Sequence, residues 1–130
     1  MGFNEKCIEN YESACDLLKS GRYNSCVNRI YYCMYDLILA KIINMKKYEK
    51  LKEYTKRNPT SHTLTITYFL DHLIKVKLNS EDYNRVWTNI NAAKSARFKA
   101  DYKPEHITEK NAKNIMKHGE QFREIINKVC

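Results

Sequence analysis

Two short runs carry the residue types that could do chemistry: Arg29-Ile30-Tyr31-Tyr32 and Arg97-Phe98-Lys99-Ala100-Asp101-Tyr102. Both fall on helical stripes that should face a core, and charge on an inward face is costly unless it is paired or used. If paired, Arg29, Arg97 and Asp101 form an ion network that fixes helix register. If used, they line a polar pocket for a phosphate or nucleotide. Guanidinium forks would grip phosphate oxygens there, and tyrosine rings would offer stacking surfaces. Around the helix that carries Tyr83, Val86, Trp87 and Ile90 as its apolar face, each residue turns about 100°, so Arg97 lies about 40° from the Tyr83 direction and Asp101 almost on it. Arg97 and Asp101 are also one helical turn apart and can reach each other. Arg29 sits at the edge of its stripe, about 60° from the Cys26–Cys33 direction.

The elements that must position these groups read as helices. Ile8, Tyr11, Ala14, Cys15 and Leu18 recur at three- and four-residue steps, which predicts a helix over about 3–19. Ser20-Gly21 stops it. A second helix over about 23–45 is the most apolar, with Cys26, Ile30, Cys33, Met34, Leu37 and Ile38 in one broad stripe. Residues 46–58 are rich in Lys and Glu and read as a solvated helical extension or loop. Asn58-Pro59-Thr60-Ser61 is a helix start, opening a third helix over about 60–77 with Leu64, Phe69, Leu70, Leu73 and Ile74 inward. Asn79-Ser80-Glu81-Asp82 opens a fourth that runs to about 100, with acid at the positive end of the helix dipole. Thr108 caps a fifth, whose stripe is Ala112, Ile115, Met116, Phe122, Ile125, Ile126 and Val129. The expected fold class is all-α: an antiparallel up-and-down bundle of four to five helices with short connections, in one domain spanning residues 1–130.

The totals agree with that outline. The 130 residues are 43% hydrophobic and 29% charged, which fits a globular chain. Three Gly and two Pro are too few for a sheet-rich fold with many tight turns. The five cysteines contain no CxxC, so no metal site is expected and they read as reduced core residues of a cytoplasmic protein. His72, His106 and His118 lack partners at metal-ligand spacing, and Asp71 beside His72 reads as a surface pair. The start has no apolar signal segment, and no apolar run approaches membrane-spanning length, so no membrane association is expected. A net charge of +8 favours polyanionic partners such as RNA, DNA or an acidic protein, although a solvated lysine surface accounts for it too.

The same residues carry a family resemblance. Leu17-Leu18-x-x-Gly21-x-Tyr23, Arg29-x-Tyr31-Tyr32, Ser61-His62 and Arg97-x-x-Ala100-Asp101-Tyr102, in that order, resemble the HEPN domain (higher eukaryotes and prokaryotes nucleotide-binding), especially its small stand-alone bacterial and archaeal members. The resemblance implies a four- or five-helix bundle, often a homodimer. It implies RNA or a nucleotide as ligand, with no cofactor. Catalytic members are metal-independent ribonucleases with an Arg-x(4–6)-His motif. Many are toxins paired with a small nucleotidyltransferase antitoxin or act in phage defence; others bind nucleotides or partner proteins without catalysis.

Arg57-Asn58-Pro59-Thr60-Ser61-His62 fits that motif, including its Asn. An imidazole titrating near neutrality can take the proton of a ribose 2′-hydroxyl, and a guanidinium can stabilise the charge developing on the phosphate. In the catalytic members the motif lies later, on the helix nearer the C-terminus, where this chain has Arg97 and no His. The expected catalytic residues are His62, Arg97 and Arg57, with Arg29, Tyr32, Asp101 and Tyr102 binding phosphate or substrate. A non-catalytic nucleotide- or protein-binding module is the alternative.

Overall fold

The computed structural model describes residues 2–104 and 106–130. The elements are α1 (Phe3–Lys19), α2 (Tyr23–Asn44), α3 (Tyr48–Tyr54), α4 (His62–Thr67), α5 (Ser80–Tyr102) and α6 (Glu109–Val129). The turn Tyr68–Leu73 continues α4 as a π-helix, followed by a 3-10 turn over Lys75–Lys77. No strand occurs among the described residues, so the all-α expectation holds. No described helix is long and apolar enough to cross a membrane.

Local chemistry sets the helix ends. Gly21 takes φ +76°, which costs glycine nothing, and this lets the Arg22 and Gly21 amides bond back to the Leu17 and Leu18 carbonyls. Side-chain oxygens of Ser61, Asn79 and Thr108 accept from the amides of Leu64, Asp82 and Asn111, each satisfying an otherwise orphaned first-turn donor.

Contacts give the topology. Cys7–Cys33 and Arg29–Asn10 run α1 against α2 in antiparallel sense. Asn28–Asp101 with Tyr32–Arg97 does the same for α2 and α5, as do Asn89 beside His118 and Lys99 beside Asn111 for α5 and α6. Helices α2 and α6 are parallel: Lys41 reaches the Cys130 carbonyl at an offset of 89 residues, the offset at which Gly119 meets Ile30. Helix α2 is central, and Tyr31, Phe69 and Phe122 are the largest side chains fully buried around it.

Three expectations are corrected. Ile8 is 42% exposed while Cys7 is 2%, so Cys7 takes the inward place expected of Ile8, while Tyr11, Ala14, Cys15 and Leu18 turn inward as expected. Neighbours lie about 100° apart on a helix, and Cys33 of α2 packs against Cys7. The third helix is not one regular α-helix, since Ile74 donates to the Phe69 carbonyl across a π-type turn. Residues 48–54 are a short helix separate from α2 and anchored by buried Leu51, where a solvated helical extension or a loop is expected from the sequence.

Gly119 marks the closest approach of α6 to α2. A Cβ there would lie 2.9 Å from Ile30 Cγ2 and 3.5 Å from its Cδ1. Ile30 is β-branched and fully buried, so its methyl has little room to yield. Overpacking of this kind costs about 1–3 kcal/mol, against a helix-propensity gain of up to about 1 kcal/mol on replacing Gly with Ala. Gly119→Ala is therefore expected to lower the denaturation midpoint. In a double-mutant cycle the penalty should vanish in an Ile30→Ala background.

Candidate functional site

Three tyrosines of α2 build a shelf. Tyr31 and Tyr32 are in edge contact (centroids 5.4 Å) and Tyr31 stacks with Tyr35, one turn on, at 6.2 Å. Tyr31 is wholly buried, while Tyr32 and Tyr35 are half-buried. The start of α4 delivers His62 onto this shelf, because the Ser61 cap fixes the first turn. The imidazole stacks on Tyr35 at 4.1 Å and 23°, and its Nδ1 lies 2.9 Å from the Tyr31 hydroxyl.

Arg97 approaches the same shelf from α5. Its guanidinium carbon lies 5.3 Å from the Tyr31 ring centre and 5.1 Å from that of Tyr32, within cation–π range. Nε lies 3.5 Å from an Asp101 oxygen. That contact is Coulombic and poorly aligned, since Nε is sealed from solvent and makes no hydrogen bond among the described residues. Asp101 also accepts from the Asn28 amide at 3.3 Å.

The electrostatics follow from this packing. Burial, then the Arg97 and Lys94 charges, lower the His62 pKa below the ordinary imidazole value of 6.5, so the neutral ring is favoured. Burial pushes the Tyr31 phenol up, well out of the physiological range. Lys94, one turn before Arg97, hydrogen-bonds the Thr63 hydroxyl beside His62.

Of the residues read as a site, His62, Arg97 and Tyr32 come together, with Asp101 against Arg97. Arg29 does not join an ion network with them, contrary to that reading. Its guanidinium reaches Oδ1 of the Asn10 side-chain amide at 3.4 Å, and the same amide donates through Nδ2 to the buried Asp36 at 2.9 Å. Arg29 still shares a shallow surface hollow of about 270 Å³ with Asn28, Ala100 and Asp101. Tyr102 is 66% exposed and leans on Phe98, and Arg57 is exposed on the turn between α3 and α4. Asp71 is no surface partner of His72: it accepts from the Tyr83 hydroxyl and, at 3.2 Å, from Trp87 Nε1.

Sequence reasoning did not pair His62 with Tyr31 and Tyr35, nor find Lys94 and Thr63. The available signal was the clustering of Tyr31, Tyr32 and Tyr35 within one turn, which presents a continuous aromatic face.

The molecule is thus an all-α helical domain with an imidazole and a guanidinium gathered on one tyrosine shelf. The family model for the HEPN domain matches residues 3–129, and the chain belongs to that family. HEPN domains are typically RNA-targeting or associated with nucleases. No curated protein and no solved structure matches the chain.

Proposed function

We propose that this HEPN domain is a metal-independent endoribonuclease acting in a toxin–antitoxin or phage-defence setting, with His62 and Arg97 at its reacting centre. The observation that carries this reading is the convergence of both side chains on the rings of Tyr31 and Tyr32. A base and a phosphate-binding cation are then side by side on a rigid, partly desolvated surface.

In this reading Nδ1–H of neutral His62 donates to the Tyr31 oxygen, which leaves Nε2 as the basic atom. Nε2 takes the 2′-hydroxyl proton. The 2′-oxygen bonds to the adjacent phosphorus, the bond to the 5′-oxygen breaks, and the leaving oxygen takes a proton from solvent. The products are a 2′,3′-cyclic phosphate and a 5′-hydroxyl. Arg97 holds the non-bridging oxygens and Asp101 orients it. The ring of Tyr32 supports the guanidinium, and Arg29 and Tyr102 border the phosphate and substrate. Arg57, on its exposed turn, guides RNA toward the centre. Arg57→Gln is therefore expected to raise KM, most at low salt and less at high salt where screening already weakens the attraction, while single-turnover cleavage keeps the parent rate. We further propose that the protein works in the cytoplasm as a homodimer, restrained by a partner such as a nucleotidyltransferase.

The test is incubation of purified protein with total RNA in chelator, followed by end-group analysis; 2′,3′-cyclic phosphate ends are expected. The second reading, a nucleotide- or protein-binding module without catalysis, draws on Asp101 partly neutralising Arg97 and on the lack of a His on α5. Intact RNA together with saturable nucleotide binding would decide for it.

A further inference from the structure

The α5 surface beside the His62–Arg97 centre carries two large aromatic side chains that the core does not use. Phe98 is 54% exposed and Tyr102 66% exposed, one turn apart, with ring centres 5.0 Å apart. Neither supports the fold from that position. Lys103 lies over the Phe98 ring at 5.8 Å, so the patch already receives a cation. Exposed rings bordered by lysine suit a stack of nucleobases linked by phosphates.

The patch is continuous with the centre on one side and with a lysine face on the other. Lys94, bonded to Thr63 beside His62, lies one turn before Phe98. Ser95 and Lys99, neighbours of the two rings on the helix surface, line a hollow of about 190 Å³ with Asn111 and Asn114 of α6. The same two asparagines also line a depression of about 660 Å³, together with Lys110, Lys113, Lys117 and Glu109, which pairs with Lys113. A strip of amides, lysines and two aromatic rings thus leads away from the reacting centre across α5 and onto α6.

We infer that this strip is the track for single-stranded RNA: Phe98 and Tyr102 stack bases next to the cleaved phosphate, and Lys99, Lys113 and Lys117 hold the phosphates beyond it. The inference rests on the proposed RNA-directed function and names its substrate as an unpaired strand. Stacked bases must be splayed out of a duplex, and ring faces accept any base, so recognition is by strandedness more than by sequence. A second copy of the chain is the competing occupant of the aromatic patch. Charge argues against it, because two such surfaces would bring lysine rows face to face.

The test uses the full chain carrying His62→Ala, so that RNA stays intact, and a fluorescent single-stranded RNA of about 10 nucleotides, within the usual single-strand site sizes. Phe98→Ala and Tyr102→Ala should each weaken binding roughly 5- to 100-fold, the range typical of a lost stacking platform. Lys99→Gln with Lys117→Gln should flatten the log–log salt dependence by about 1.4, two phosphate contacts at about 0.7 each. A duplex of the same sequence should bind more weakly than the single strand. Both aromatic side chains are exposed, so circular dichroism melts should match the parent. Unchanged affinity on losing Phe98 and Tyr102, or an unchanged salt slope, overturns the track. So does a dimer that Phe98→Ala converts to monomer with RNA binding intact. Binding that maps to these residues without any cleavage by the parent chain leaves the track standing and removes the proposed chemistry; cleavage indifferent to them does the reverse.

Discussion

His62→Ala should cleave RNA about 10²–10⁴-fold more slowly than the parent chain, the loss expected for a positioned general base. The pH profile makes the assignment specific. Burial and two nearby cations lower the His62 pKa below 6.5, so the acid limb of kcat/KM should lie below the ordinary imidazole range. The same shift enters stability. Because the folded-state pKa is the lower one, the unfolded chain binds more protons as pH falls from 6.5 toward the folded value. This contribution leaves stability flat above 6.5, lowers it through that window, and makes it flat again below the folded pKa. His62→Ala should remove both the acid limb and that decrement. A variant that cleaves like the parent, with its acid limb in place, removes His62 from the mechanism.

Arg97→Gln should lower cleavage roughly 10²–10³-fold, the usual cost of removing a group aimed at developing charge. It should also move the acid limb of residual activity to higher pH, because one of the cations that disfavour imidazolium at His62 is gone. A residue that served only packing would not shift that limb. Arg97→Lys should restore little, since an ammonium lacks the planar fork that lies over Tyr31 and Tyr32. Stability should change modestly. The lost cation–π contact is worth about 0.5–2 kcal/mol, and part of it is offset by removing an Nε that is buried without a hydrogen bond. Loss of cleavage with the pH limb unmoved would give Arg97 a role in RNA contact and none in tuning His62.

Most of the fold was readable because its signals are local. The Asn79 and Thr108 caps, the Gly21 stop and the α6 stripe depend on residues within a few positions of one another. What escaped depends on tertiary choice. Cys7 and Ile8 are both apolar, and only the partner surface on α2 decides which turns inward. The widened turn at Tyr68–Leu73 has no spacing code of its own, since its apolar residues satisfy an α-helical reading as well. The site behaved likewise. Arg97 and Asp101 could be paired by counting along one helix, but Arg29 lines a hollow with Asp101 and bonds instead to Asn10 of another helix. His62 meets Tyr31 and Tyr35 across two helices, and a one-dimensional pattern does not encode that meeting.

The widened turn also sets a phase. Upstream of it His62 faces the α2 tyrosines, and within it Asp71 faces Tyr83 and Trp87 of α5. If this stretch kept all its residues but wound as a regular α-helix, the extra residue that the wide turn absorbs would rotate its two ends by up to about 100° relative to each other. His62 and Asp71 could not then both keep their partners. The wide turn thus takes up one residue, so a single-codon deletion between Tyr68 and Leu73 should be absorbed better than one in the middle of α5 or α6, where nothing offsets the lost 100°.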